Sequence, residues 1–350
     1  MEPVTVLVTA VGGGGLGEQL IKALRLASTP YRIIGTDMSA FSKGLAEVDQ
    51  AERVPPARDA DFVPTLLDLC RRHGARAVLC GSEAEIAVLD QHREQFAAAG
   101  LFLPIQPGAV LDTCLDKVKT AAFLAAHGFH TPAYARITSR QELDAFPHLP
   151  AVVKPSRGGG GSANLFLAQT RDELIFFGDY LLRQYQEFIV QEYVGTPQTE
   201  FTAGVLLDME GHLWNSIAVR RNILTALSNR LREPNRTGRA GLGPVLAISN
   251  GVSQGEIGPF PEVCAECERI ALALGARGAI NIQCRVDSGR VYVFEINPRF
   301  SGTTSLRAMA GYNEPDLLIR RHVLGQEIAP RFSYRSGTIL RGLSETFLEG

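Results

Sequence analysis

The stretch VYVFEINPRF, residues 291–300, ends an otherwise apolar run with an acid and an amide, Glu295 and Asn297. Side chains two apart share one face of a strand, so Glu295 and Asn297 are expected to project together with Val291 and Val293, leaving Tyr292, Phe294 and Ile296 to a core. The preceding segment AINIQCRV, residues 279–286, also has strand character and reaches this one through Asp287, Ser288 and Gly289. The pair reads as a hairpin. A three-residue turn pairing Val286 with Arg290 sets Asn281 opposite Glu295 and Gln283 diagonal to it. That face offers oxygen donors and amides but no histidine or cysteine, which suits Mg2+ completed by water and phosphate oxygens. Magnesium in turn implies a nucleoside triphosphate. Taken alone, the same residues also describe a solvated strand end at which Glu295 pairs with Arg299.

A second segment supplies what such a site needs. In VVKPSRGGGGSANL, residues 152–165, a short strand delivers Lys154 to a run of four glycines. Backbone amides freed of Cβ atoms can converge on an anion, and the lysine adds a point charge of the right sign. No GK[ST] follows, so this is not a P-loop. A wide hairpin turn is the other reading of such a run.

An earlier glycine run competes for the nucleotide. LVTAVGGGGLGEQL, residues 7–20, contains Gly12, Gly14 and Gly17 in GxGxxG spacing after an apolar strand, and Asp37 stands at the dinucleotide-fingerprint distance. On this feature alone the chain reads as an NAD-dependent oxidoreductase. That reading explains nothing after residue 110.

Composition narrows the classes. The 350 residues are 45% hydrophobic with a formal charge of −2, and the basic residues are scattered. A soluble chain of two or three lobes is expected, with no nucleic-acid partner and no membrane span. The N-terminus shows no leader pattern, so a cytoplasmic location is expected. The six cysteines are too few for a disulfide scaffold and are expected to be reduced, and the CxxC of Cys264 and Cys267 lacks the second pair of a zinc site. No histidine has HExxH or HxH spacing.

Helix and strand patterns alternate from Val4 to about Gly100, predicting a parallel sheet with helices on both faces. The predicted elements include strands near Thr5–Val8, Arg32–Thr36 and Ala77–Leu79, and helices over Leu16–Leu26, Phe62–His73 and Ala84–Ala99. A helix is predicted over Asp116–His127, and another over Arg171–Arg183. Antiparallel hairpins follow, Glu200–Leu207 with Leu213–Val219 and Ala279–Val286 with Arg290–Ile296, which indicate an α+β lobe. The stretch 220–243 reads as a mobile, arginine-rich loop.

These pieces together resemble the ATP-grasp ligases, and within them the carbamoyl-phosphate-synthase-like group. The resemblance rests on Gln283 with Glu295-x-Asn297-Pro-Arg299, Asp116-Lys117, Val153-Lys154-Pro155 with its glycine loop, and Gln191-Glu192-Tyr193-Val194, in the family's order. It implies a Rossmann-like pre-ATP-grasp lobe over 1–110, a small lobe with the phosphate loop over 111–190, and a C-terminal lobe with the metal site over 191–350. It further implies that Lys117, Lys154, Ser156 and Gly158, Gly159, Gly160 and Gly161 meet the phosphates. Gln191, Glu192, Tyr193 and Val194 would meet the adenine at the hinge, and Glu200 the ribose hydroxyls. Gln283, Glu295 and Asn297 would hold one or two Mg2+, with Mn2+ as a substitute. Arg299 and Lys154 would be the catalytic groups, neutralising charge on the transferring phosphoryl. Lys117 and Glu200 also admit plainer readings, as a helix-start residue and an exposed strand residue. The opening glycines would serve a tight turn and helix packing and face the acceptor substrate.

The implied activity is an ATP- and Mg2+-dependent carboxylate-amine or carboxylate-thiol ligase working through an acyl phosphate. A carboxylase or a carboxylate kinase of the same fold is the alternative, and a silent nucleotide-binding module is a rival of another class. Small-molecule carboxylate and amine partners follow, with a homodimer open. Arg220 and Arg239, among six arginines between them inclusive, and Ser301, Gly302 and Thr303 are candidates for the acceptor end. The arginines read equally as a solvated basic loop. The sequence carries one ATP-grasp unit where a carbamoyl phosphate synthase large subunit has two, and no biotin-carboxylase-specific set is recognisable.

Overall fold

The computed structural model describes residues 2–12, 14–158 and 164–346. The chain begins as a wound α/β lobe. Its elements are β1 (Val4–Val8), α1 (Leu16–Arg25), β2 (Tyr31–Asp37), β3 (Gln50–Arg53), α2 (Phe62–His73), β4 (Ala77–Leu79), α3 (Glu83–Gln91) and α4 (Arg93–Ala98). The four strands pair in parallel in the order β3-β2-β1-β4. The helix expected over residues 84–99 is broken at His92, which leaves helical geometry (φ −114°, ψ 13°) and turns its ring onto the Val88 carbonyl. β3 escaped the sequence reading because its side chains alternate between half-buried and exposed without an apolar run.

Helices α5 (Gly108–Cys114) and α6 (Lys117–Ala126) lead into a small antiparallel lobe. It contains β5 (Tyr134–Ile137), α7 (Arg140–Ala145), β6 (Ala151–Pro155), β7 (Phe166–Ala168), α8 (Arg171–Leu182) and β8 (Phe188–Glu192), with strand order β5-β8-β6-β7. Both α7 and α8 start with a capping box, Ser139 with Glu142 and Thr170 with Glu173. α5 and α6 bury Val110, Cys114 and Leu124 in the core of the last lobe, with Val263, Ile282 and Val293, so their packing belongs there.

The last lobe is built on a six-stranded sheet, β15-β14-β9-β10-β13-β16. Its strands are β9 (Glu200–Leu207), β10 (Leu213–Arg221), β13 (Gly255–Gly258), β14 (Ala279–Asp287), β15 (Arg290–Asn297) and β16 (Gly337–Ile339). α9 (Pro261–Leu274) covers one face, while α10 (Thr304–Met309) and α11 (Glu314–His322) pack between the other face and α1 of the first lobe. The stretch expected to be a mobile loop instead carries β11 (Asn229–Pro234), which pairs with β12 (Val245–Ser249) just beyond it. The alternation of polar residues in NRLREP hid that hairpin, because neither face of β11 is fully buried. All six cysteines are free and buried. No helix among the described residues is long and apolar enough to cross a membrane.

The β14–β15 hairpin corrects two expectations. Its turn has two residues, with Asp287 opposite Arg290 and both Ser288 (φ 49°) and Gly289 (φ 73°) left-handed, the geometry that matches strand twist. The register then slips at Phe294, a bulge that sets Gln283 directly opposite Glu295 and Asn281 opposite Asn297. Ile296, Glu295 and Asn297 lie as expected, but on the near side of the bulge the predicted faces are exchanged. Val291, Val293 and Ile296 are buried in the core, and Tyr292 and Phe294 line the pocket with Glu295 and Asn297.

Candidate active site

A pocket of ≈ 380 Å³ opens where the three lobes meet. Each lobe sends the end of an element to it. The first lobe contributes the glycine turn before α1 and Gly81–Glu83 before α3, both at the carboxyl ends of parallel strands, where wound α/β sheets bind ligands. The small lobe contributes Lys154 and Gly158, and the last lobe the ends of β14 and β15.

At the β15 end, Glu295 faces Gln283, and Asn297 Oδ1 accepts from Arg299 Nη2 at 3.0 Å. Asn281 is committed elsewhere, accepting from Thr202 (2.8 Å) and Arg307 (2.6 Å). One carboxylate with two amide oxygens fits a hard divalent ion whose remaining positions are filled by phosphate and water. Lys154 stands beside this group. It is 5% exposed, its Nζ donates to the Phe294 carbonyl at 3.3 Å, and burial pushes its ammonium down to about 8, with Glu295 opposing and Lys117 adding to the shift.

Lys117 lines the pocket from the first turn of α6. Asp116 caps that helix through the Val118 and Lys119 amides (2.9 and 3.1 Å). The same carboxylate accepts from the Ser156 hydroxyl (2.8 Å) and from Arg157 (2.9 Å), while Lys117 N donates to the Ser156 carbonyl at 2.9 Å. Asp116 thereby ties the stem of the second glycine run to the helix that carries Lys117. This corrects Ser156: it is 1% exposed, holds Asp116 and does not line the pocket. Gly158 does line it, whereas Gly159, Gly160 and Gly161 lie outside the described residues.

Gln191, Glu192, Tyr193 and Val194 form one wall. The Glu192 carboxylate turns away to Arg239 at 3.1 Å, so only its backbone side faces inward. Glu200 reaches the pocket, but its two oxygens accept from Arg221 (3.0 Å) and Arg285 (3.0 Å), and it is 2% exposed. Its expected role at ribose hydroxyls therefore meets a carboxylate already held by two guanidinium groups. Arg285 stacks over the Tyr193 ring at 4.3 Å and donates to the Val194 and Ala247 carbonyls. Arg221 also holds the pocket loop at Ser249 Oγ (2.7 Å) and the Asn250 carbonyl (2.6 Å).

The loop-arginine candidates are corrected as well. Arg220 points outward to Glu256 (2.5 Å) and Arg239 sits outside at Glu192 and the Leu149 carbonyl, and neither lines the pocket. The guanidinium groups inside are Arg221, Arg285 and Arg299. Strand parity was the available signal for Arg221, since alternation along β10 turns 220 and 221 to opposite faces. Ser301, Gly302 and Thr303 do line the pocket, with Ser301 and Thr303 hydroxyls 2.6 Å apart.

The first glycine run opens on the same pocket through Gly14 and Gly15. Gly17 allows α1 to lie against β1, because a Cβ there would meet the Ala10 carbonyl oxygen at 2.3 Å. Asp37 accepts from Gly12 N (2.8 Å) and Ser39 N (2.9 Å), so the acid at the dinucleotide position braces the turn. Glu83 was missed by sequence reasoning. Ser82-x-x-Glu85 at the end of β4 is a helix-start signal that marks its position.

A family model described as "PylC-like, N-terminal domain" matches residues 6–103, and one described as "ATP-grasp in the biosynthetic pathway with Ter operon" matches residues 249–341. The carbamoyl phosphate synthase large chain of Thermoplasma acidophilum is 28% identical over 215 residues, covering 59% of this chain and 19% of that one. The chain thus spans less than a fifth of that relative's length. Among solved structures, the Staphylococcus aureus N5-carboxyaminoimidazole synthetase complexed with ADP superposes with a TM-score of 0.66 at 13% identity, covering 96% of this chain and 80% of that one. The biotin carboxylase domain of Hydrogenobacter thermophilus 2-oxoglutarate carboxylase, in complex with MgADP, ADP and bicarbonate, gives 0.64 at 14%, covering 95% and 72%. An L-amino acid ligase from Bacillus licheniformis gives 0.63 at 17%, covering 92% and 74%. The chain thus has the fold of these ATP-grasp structures, with a segment that matches the PylC-like N-terminal model ahead of one that matches an ATP-grasp model, and it is similar over part of its length to the carbamoyl phosphate synthase large chain.

Proposed function

We propose that the protein is an ATP- and Mg2+-dependent ligase that activates a carboxylate as an acyl phosphate and passes it to an amine or thiol, releasing ADP and phosphate. One observation carries the reading: Lys117, Lys154, Glu295, Asn297 and Arg299, distant in sequence, converge on one interlobe pocket. Their residue types provide the positioning and charge neutralisation that phosphoryl transfer demands, with no need for a protein nucleophile. In this reading Lys117, Lys154 and Gly158 face the phosphates, and the wall of residues 191–194 takes the adenine. Glu295, Gln283 and Asn297 would hold the magnesium, which would supply positive charge to offset that of the phosphates. Arg299 faces the transferring group, and Ser301, Gly302 and Thr303 face the acceptor end. Segments 1–110, 111–190 and 191–350 are then the pre-ATP-grasp domain, the small lobe and the metal-bearing lobe.

The test is ADP release by purified protein with Mg2+-ATP and a panel of carboxylates, with and without amines, thiols or bicarbonate. Glu295→Ala is expected to abolish release while thermal unfolding and circular dichroism stay those of the wild type. Full turnover by that variant refutes the site. Release with carboxylate alone, and no coupled product, identifies a carboxylate kinase instead.

A further inference from the structure

Four glutamates are among the residues lining the pocket: Glu83, Glu192, Glu200 and Glu295. Three are accounted for. Glu192 turns out to Arg239, Glu200 lies between Arg221 and Arg285, and Glu295 belongs to the oxygen-donor set. Glu83 differs from them. It is the first residue of α3, at the positive end of that helix's dipole. Its Oε2 accepts from Arg299 Nη2 at 3.0 Å, its Oε1 has no donor among the described residues, and its side chain is 32% exposed.

The carboxylate is aimed by a rigid support. Gly81 N donates to Thr9 Oγ1 at 3.0 Å, and Thr9 donates to Glu85 at 2.5 Å. Burial pushes the Glu85 carboxyl up. A Cβ on Gly81 would lie 1.8 Å from the Thr9 carbonyl oxygen, so the segment leading to Glu83 has one close-packed path. Arg299 meanwhile joins Glu83 on one side to Asn297 on the other. Glu83 therefore stands one guanidinium away from the metal-set amide. Arg299 holds only Oε2, and the remaining oxygen of this carboxylate accepts hydrogen bonds but donates none, which disfavours a carboxylate, a phosphate or bicarbonate and suits an N–H donor. That oxygen attracts a cation.

We propose that Glu83 binds the ammonium of the acceptor, which makes the second substrate a primary amine. This rests on the ligase reading above. The coupled step balances as RC(O)OPO3(2−) plus R′NH3+ giving RC(O)NHR′, HPO4(2−) and H+. The C–N bond forms as the C–O bond to phosphate breaks, and the leaving phosphate keeps the electron pair. Of the three ammonium protons, one stays on the amide, one goes to the phosphate, and one leaves to solvent from the Glu83 subsite.

The test compares two acceptors on wild-type and Glu83→Gln protein: a panel of primary amines, and hydroxylamine, which is uncharged near neutral pH and traps an acyl phosphate as a hydroxamate without an ammonium site. The carboxylate is taken from the panel above. The expected result is a fall of roughly tenfold or more in the ratio of amide to hydroxamate for Glu83→Gln, as expected for loss of a charge-assisted hydrogen bond. Glu83→Asp should recover part of that ratio. An unchanged ratio overturns the proposal, whether both rates stay or both fall, because a merely structural role moves the two products together. Wild-type protein that forms hydroxamate but no amide with any amine also overturns it. Wild-type protein that forms neither refutes the ligase reading itself.

Discussion

Lys154 offers the sharpest test of the site's electrostatics. Its ammonium is buried, and burial pushes it from 10.5 down to about 8. The depression corresponds to roughly 3 kcal/mol against the charged form in the empty protein. The sign follows from linkage: the unfolded chain binds more protons between about pH 8 and 10.5, so this group's contribution to stability rises with pH across that window and its cost is complete below it. Phosphate oxygens in the pocket would restore the ordinary value, so binding of Mg2+-ATP takes up a proton wherever the empty site is neutral. With the free group titrating near 8 and the bound group near 10.5, affinity should weaken roughly 20-fold between about pH 7.5 and 9.5. Isothermal titration calorimetry in buffers of different ionisation enthalpy measures both the affinity and the proton uptake. Lys154→Met should bind weakly at the lower pH and lose this dependence. A flat affinity in the wild type, or the same slope in Lys154→Met, refutes the reasoning.

Two further substitutions separate structure from function. Glu200→Gln leaves Arg221 and Arg285 buried without their shared counter-charge, and should lower stability by roughly 3–5 kcal/mol in denaturant titration. An effect under about 1 kcal/mol would show that the two guanidinium groups are satisfied by their carbonyl partners alone. Gly17→Ala sets two rules against each other: helix propensity favours alanine by about 1 kcal/mol, while the 2.3 Å approach of its Cβ to the Ala10 carbonyl opposes it. The contact should win, with a net loss of roughly 1–3 kcal/mol. A stabilised variant would mean that α1 shifts freely on β1.

Much of the fold was legible because its signals are local. The strand Val4–Val8, the glycine turn after it, the helix after Asp116 and the strand Glu200–Leu207 each lie where period and capping residues put them. The candidate site residues could be picked out for the same reason: Glu295 and Asn297 end one strand, and Lys154 lies near the end of another.

What could not be read depends on parity, register or contact across distance. Moving one position along β10 exchanges an outward arginine, Arg220, for an inward one, Arg221, and the composition of a basic segment does not say which faces in. The bulge at Phe294 exchanges the faces of Val291–Val293 relative to Glu295, and it is fixed by pairing with β14. Glu200 was legible as a pocket residue, but two arginines that hold it, at 221 and 285, are named only by the folded chain. Glu83 meets Arg299 across 216 residues. Local sequence thus determined which elements form and which residue types end them. The packing of three lobes decided which of those ends share a pocket, because the direction of a side chain depends on partners that lie far away along the chain.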